Sequence, residues 1–114
     1  MAEITFYHNP RCATSRKALE LLRQRGAGPR IVEYLKTPPS EAELRRLLKL
    51  LGLKPRELLR KKEAKEAGLD KPGLSDAEII AGLHKHPIAI ERPIVVKGDR
   101  AVLGRPPEAA LTLI

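Results

Sequence analysis

Aromatic residues are scarce in this chain, tryptophan is absent and cysteine occurs once. Among 114 residues only Phe6, Tyr7 and Tyr34 carry aromatic rings. A core must therefore be built from Leu, Ile, Val and Ala. With 42% hydrophobic residues that is feasible, and it argues against disorder. The lone thiol, Cys12, excludes an intramolecular disulfide and leaves no cysteine pair for a metal site. No apolar run approaches the ~18 residues that a membrane-spanning helix needs. The opening "MAEITFY" enters a strand-like pattern without a secretory signal, so the expected compartment is the reducing cytoplasm, with no membrane partner. Acidic residues are outnumbered: 22 Lys and Arg against 14 Asp and Glu give a net charge of +8 and a pI near 10.0. Nucleic-acid readers interleave basic with aromatic residues on one face, and that pattern is missing. Much of the charge lies in "RELLRKKEAKEAG", where Glu63 and Glu66 alternate with Lys61, Lys62 and Lys65, as on a solvated face. A small anion therefore fits the basic balance better than nucleic acid does. The length indicates a single domain with one modest core.

Residues 3–7, "EITFY", read as a strand, and Pro10 punctuates the loop after it. From Thr14 the positions Ala18, Leu19, Leu21 and Leu22 recur at helical spacing, and Gly26 and Gly28 end that helix. "RIVEY", residues 30–34, reads as a second strand. Two strands joined through a helix form a βαβ unit, which implies parallel pairing with a right-handed crossover. Pro38 and Pro39 then break the chain. "SEAELRRLLKLLG" opens on a capping box of Ser40 and Glu43 and continues as an amphipathic helix to Gly52. "KPRELLR" reads as a short helix, followed by a polar stretch to Gly73. Ser75 and Glu78 form a second capping box for "DAEIIAGLHKH", which Pro87 stops. "RPIVVKGDRAVLGR" reads as a hairpin turning at Lys97-Gly98-Asp99-Arg100, and "PPEAALTLI" as a closing helix. The order is β-α-β, a helical insert over about 38–86, then β-β-α.

Cys12 falls where the first strand ends and the first helix begins. In a βαβ unit that loop lies at the carboxyl edge of the sheet, facing a helix N-terminus. Unpaired N–H groups there carry about half a positive charge. They stabilise a thiolate, lower its pKa and populate its nucleophilic form, and the same groups hold an oxyanion. Position alone leaves two readings open: a reactive thiolate, or a small buried hydrophobe. His84 and His86 stand two apart near a helix end, where they cap carbonyls more readily than they share a metal ion.

The segment "YHNPRCATSRKALELL" resembles the active-site segment of the glutaredoxin-dependent arsenate reductase family. "YLKTPPSEAELRRLLKLLG", "LLRKKE", "HPIAIERPIVV" and "GRPPE" resemble further segments of that family, in order and at similar spacing, so the likeness covers nearly the whole chain. It implies an α/β, thioredoxin-like fold with a mixed four-stranded sheet. It also implies one arsenate reductase-type domain over residues 1–114, with the helical insert between its halves. The implied catalytic residues are Cys12, Arg60, Arg92 and Arg105. Arg92-Pro93 stands where that fold carries a cis-proline, so the resemblance implies a cis bond there and Arg92 against the thiol. Guanidinium groups suit this chemistry because they are permanently charged, match oxyanions with planar forks, and offset the repulsion between thiolate and arsenate.

Ser15 in "CATS" stands where a dithiol enzyme has its second cysteine, so an external thiol must resolve an arseno-thiol adduct at Cys12. The resemblance implies glutathione as co-substrate, then glutaredoxin, with no bound cofactor and no metal. The supporting residues are His8, Asn9, Ser15, Arg16 and Pro93. Ser15 reads either as a donor to the thiolate or as a first-turn hydroxyl. His8 reads either as a cation that lowers the thiol pKa or as a plain loop histidine. Asn9 shapes the turn, and Arg16 is secondary. The chain is expected to act as a monomer. Two other functions stay open: a thiol reductase of this fold with another substrate, and a non-catalytic regulator of the related RNA polymerase-binding type. That regulator works through a two-cysteine switch, which Ser15 removes.

Overall fold

The computed structural model describes residues 3–114, which divide into two compact units, 3–37 with 92–114 and 38–91. The first unit holds β1 (Ile4–His8), α1 (Ala13–Gln24), β2 (Arg30–Glu33), β3 (Ile94–Lys97) and β4 (Arg100–Leu103), then a 3-10 helix, Pro107–Leu113. The sheet order is β2-β1-β3-β4. β1 runs parallel to β2 and antiparallel to β3, and β3 and β4 form the expected hairpin. At its turn Gly98 takes φ +62°, and no non-glycine residue among those described has positive φ. That combination is what a two-residue turn with glycine in the first central position requires.

α1 buries Ser15, Ala18, Leu19 and Leu22, spaced i, i+3, i+4, i+7 along one stripe. Ala18, Leu19 and Leu22 join Phe6 and Val95 of the sheet and Ala110 and Leu113 of the closing helix in one core. Phe6 pairs with Ile31 on one side and Val95 on the other, so β1 is central and its last three residues are buried. His8 follows Phe6 by two residues and shares its face; the two ring centroids are 5.4 Å apart. The closing helix is 3-10 rather than α. It spans two short turns, opens on Pro107 and has the Thr112 hydroxyl donating back to the Ala109 carbonyl at 2.8 Å.

The second unit holds α2 (Glu41–Leu51), a 3-10 turn (Pro55–Leu58), α3 (Lys61–Glu66), α4 (Asp76–Lys85) and a 3-10 turn (Pro87–Ala89). Leu44, Leu47 and Leu48 of α2 and Ile79, Ile80 and Leu83 of α4 are buried, and α4 packs on α2 and on both 3-10 turns. Ser40 Oγ accepts from the Glu43 N–H at 3.1 Å, and Gly52 in the left-handed region (φ +69°) closes α2. The Ser75–Glu78 box closes in both directions. α3 lies within the stretch read as merely polar, and "KPRELLR" forms a 3-10 turn. The insert unit runs to Glu91 instead of stopping near 86. The Arg60 N–H donates to the Ala89 carbonyl and the Glu91 N–H to the Leu58 carbonyl, both at 2.8 Å, and these bonds tie 87–91 to the start of α3. Replacing Ser40 by Ala leaves one α2 N–H without its acceptor. The expected cost is about 1 kcal/mol, seen as a lower urea midpoint at unchanged slope.

The net charge is not spread evenly. The sheet unit carries eleven basic residues against five acidic, the insert unit eleven against nine. The excess thus belongs to the unit that contains Cys12, and the lysine-rich "RELLRKKEAKEAG" nearly balances within its own unit.

Candidate active site

The loop from β1 to α1 is built by its own backbone. Asn9 is buried, and its Oδ1 accepts from the Arg11 N–H at 3.0 Å, the turn-shaping bond expected of Asn. The Cys12 N–H donates to the Asn9 carbonyl at 3.0 Å, closing the turn across Pro10. Cys12 is then the N-cap of α1, with extended φ −95° and ψ 121°, and its carbonyl accepts from the Arg16 N–H at 3.0 Å. Arg16 Nη1 donates back to the Pro10 carbonyl at 2.8 Å and clasps the loop from outside.

The thiol itself is partly exposed. Burial pushes its pKa up, but the Ser15 N–H, the Arg92 guanidinium as a hydrogen-bond donor, the Thr14 N–H and the Arg92 charge together outweigh burial and hold Cys12 below its ordinary value of 9.0. Sγ closes no capping bond of the kind Ser40 makes; the first-turn N–H groups act on it from the helix end. Thr14 and its N–H had no signal in the sequence beyond their place in the first turn.

Ser15 sits on the buried stripe of α1 and is fully buried, so its hydroxyl needs partners. Oγ lies 2.7 Å from His8 Nδ1 and accepts from the Asn9 N–H at 3.1 Å. The hydroxyl is thereby committed to β1, and the Ser15 contribution to the thiol comes from its backbone. His8 also differs from the cationic reading. Its burial lowers its pKa below 6.5, Glu33 opposes this, and the charges of Arg23 and Arg16 reinforce it. The positive charge on Cys12 comes from Arg92, and His8 is held toward its neutral form. Because the fold disfavours protonated His8, the stability it contributes is whole above pH 6.5 and is lost as pH falls through the folded-state pKa. The urea midpoint should therefore drop more steeply between about pH 7 and about pH 5 in the parent chain than in His8→Gln. Equal slopes would remove His8 from this account.

Arg92 is buried, at 6% exposure. The Arg92–Pro93 peptide is cis, as expected, and so is Arg105–Pro106. Hairpin pairing brings the two arginines to one end of the sheet: Ile94 opposes Leu103, the Gly104 N–H donates to the Pro93 carbonyl at 2.9 Å, and Arg105 Nη1 donates to the Arg92 carbonyl at 3.1 Å. A Cβ at Gly104 would stand 2.7 Å from Pro93 Cγ, so this close approach admits only glycine. Sequence reasoning missed Gly104, which carries no local signal.

The structure thus brings Cys12, His8, Asn9, Ser15, Arg16, Arg92, Pro93 and Arg105 into one unit. Arg60 belongs to the other unit, as N-cap of α3. There its Nε donates to Glu63 Oε1 at 3.0 Å and its Nη1 to Glu91 Oε1 at 3.3 Å. His84 Nδ1 lies 2.8 Å from the Pro39 carbonyl, and the His86 N–H donates to the Gly82 carbonyl. Among the described residues no group of three or more His, Cys, Asp or Glu is placed to hold a metal ion, and no helix is long and apolar enough to cross a membrane.

The ArsC family model matches residues 7–113. The uncharacterized protein YfgD of Escherichia coli K12 is 45% identical over 115 residues, covering 98% of this chain and 97% of its own. An arsenate reductase from Neisseria meningitidis serogroup A is 44% identical over 111 residues, 95% of each chain. A solved arsenate reductase structure from Vibrio cholerae is 44% identical, covers 99% of this chain and 98% of its own, and superposes with a TM-score of 0.94. The fold is the thioredoxin-like one that the sequence resemblance implied. A helix-capping cysteine under a buried arginine, a matching family model and relatives similar along their whole length agree: the chain belongs to the ArsC family.

Proposed function

We propose that this chain is a thiol-dependent arsenate reductase with Cys12 as its nucleophile. The observation that carries the reading is the Cys12 thiol, partly exposed and held below its ordinary pKa by first-turn N–H groups and Arg92. The arsenate reductases among its relatives support it. The Cys12 thiolate attacks the arsenic of arsenate, a sulfur–arsenic(V) bond forms and an arsenate oxygen leaves as water. Glutathione thiolate then attacks Cys12 Sγ. The sulfur–arsenic bond breaks with its electron pair remaining on arsenic, which leaves as arsenite, arsenic(III). The two thiols have lost two electrons to arsenic and are left as a mixed disulfide, which glutaredoxin exchanges away to restore the Cys12 thiol. Arg92 offsets charge at the reacting sulfur, and Arg105 holds the Arg92 backbone and adds to the positive field. Pro93 and Asn9 set the backbone on either side, Ser15 and His8 fix the first turn against β1, and Arg16 clasps the loop. For Arg60 we keep the role the sequence resemblance implies, a third guanidinium for the oxyanion. The protein acts as a monomer in the cytoplasm, with glutathione as co-substrate and no resident cofactor.

The test is arsenite formation with arsenate, glutathione and glutaredoxin together, and with each thiol component left out. The reading expects turnover only with the full set; turnover sustained by an unrelated dithiol alone would replace the proposed donors. Arg60→Ala should reduce turnover more than Arg11→Ala does, and the reverse order would remove Arg60 from the site.

A further inference from the structure

Beside the buried stripe of α1 runs a second set of residues, Arg16, Glu20, Arg23 and Gln24, also at helical spacing. With His8 and Leu19 they line a cleft of about 620 Å³, within the range of small-molecule sites. We propose that this cleft seats the electron-donating tripeptide thiol, with the guanidinium groups of Arg16 and Arg23 each taking one of its carboxylates and Glu20 its ammonium. This rests on the glutathione-dependent reading above.

Three observations carry it. Seven residues separate the two arginines, so they stand about 10.5 Å apart along the helix axis, and an extended tripeptide spans about 10–11 Å. The cleft begins at the reacting sulfur's own turn, because the Arg16 N–H is bonded to the Cys12 carbonyl and His8 to Ser15. A peptide held there lies along the helix that Cys12 caps. The cations are also available. Arg16 spends one N–H on the Pro10 carbonyl, and among the described residues no ion pair forms at Arg16 or Arg23. Among the described residues the partners of Glu20 are exposed, Lys17 at 3.8 Å and Gln24 at 3.3 Å, and an incoming ammonium displaces them at little cost. Both arginine charges act against protonation of His8. Carboxylates bound between them relieve that repulsion, so occupancy raises the His8 pKa.

The experiment uses S-methylglutathione, which has both carboxylates and the ammonium but no thiol to react. Binding to the intact chain is followed by calorimetry, and the His8 ring by NMR titration. Saturable binding, a His8 pKa raised by the ligand, and affinity about tenfold weaker in Arg23→Gln are expected. The diester of S-methylglutathione should bind at least as poorly as the variant does. Absence of saturable binding, equal affinity in Arg23→Gln, or sulfate binding as tightly as the peptide would each overturn the proposal. Since no turnover is read, failure here is separate from failure of arsenate reduction.

Discussion

Cys12→Ser is expected to reduce arsenite formation to background, a loss on the order of 10⁴-fold or more. Every bond-making step of the proposed cycle passes through Sγ: it attacks arsenic, it is attacked by glutathione, and it is released by glutaredoxin. A serine hydroxyl at the same N-cap is not ionised near neutral pH and cannot form the disulfide that takes electrons from the second thiol. The substitution also separates chemistry from stability. Serine is a favoured N-cap, with an oxygen that accepts from first-turn N–H groups, so thermal stability should hold or rise slightly while activity disappears. Retained turnover in a folded Cys12→Ser chain would remove the nucleophile and the cycle with it.

Arg92→Ala ranks second. Its guanidinium is buried and acts on Cys12 both as a donor and as a charge, where little solvent screens it. Its removal raises the thiol pKa, so less thiolate is present at neutral pH, and it leaves charge at the reacting sulfur without its neighbour. A fall in kcat/KM of about 10²–10³ is expected. Arg92→Lys should fall between the parent and Arg92→Ala, since lysine keeps the charge and loses the planar fork. The pH–rate profile divides the two contributions. Part of the Arg92→Ala loss should return as pH rises and the thiolate refills, while the oxyanion-binding part should not. A loss independent of pH would mean that Arg92 acts on substrate alone.

What could be read from the sequence was whatever local chemistry announces. β1, α1 and β2 follow from apolar spacing and glycine stops, both capping boxes from Ser-x-x-Glu, and the hairpin from Lys97-Gly98-Asp99-Arg100. The cysteine at a strand–helix junction was legible for the same reason, and the cis Arg92–Pro93 bond came through the family resemblance. α3 was missed because its six residues bury only Ala64 and so show no stripe. The closing helix kept its place but not its type, since i→i+3 and i→i+4 bonding differ little over so short a segment opening on proline. The Ser15–His8 pair lay outside sequence reasoning altogether. It depends on Ser15 falling on the buried stripe of α1 and His8 on the Phe6 face of β1, so that the hydroxyl meets the imidazole instead of the sulfur. Gly104 was silent because the group that forbids a side chain there is Pro93, brought close by strand pairing rather than by chain proximity.

The claim on which the account turns is that this fold keeps the Cys12 sulfur ionised more readily than a free thiol. The most direct measurement is the pH dependence of alkylation by iodoacetamide, which reads a single site because the chain has a single cysteine. The expected reactivity midpoint lies below 9.0 in the parent chain and higher in Arg92→Ala. A parent midpoint at or above the ordinary thiol value, unmoved by loss of the arginine, would contradict it.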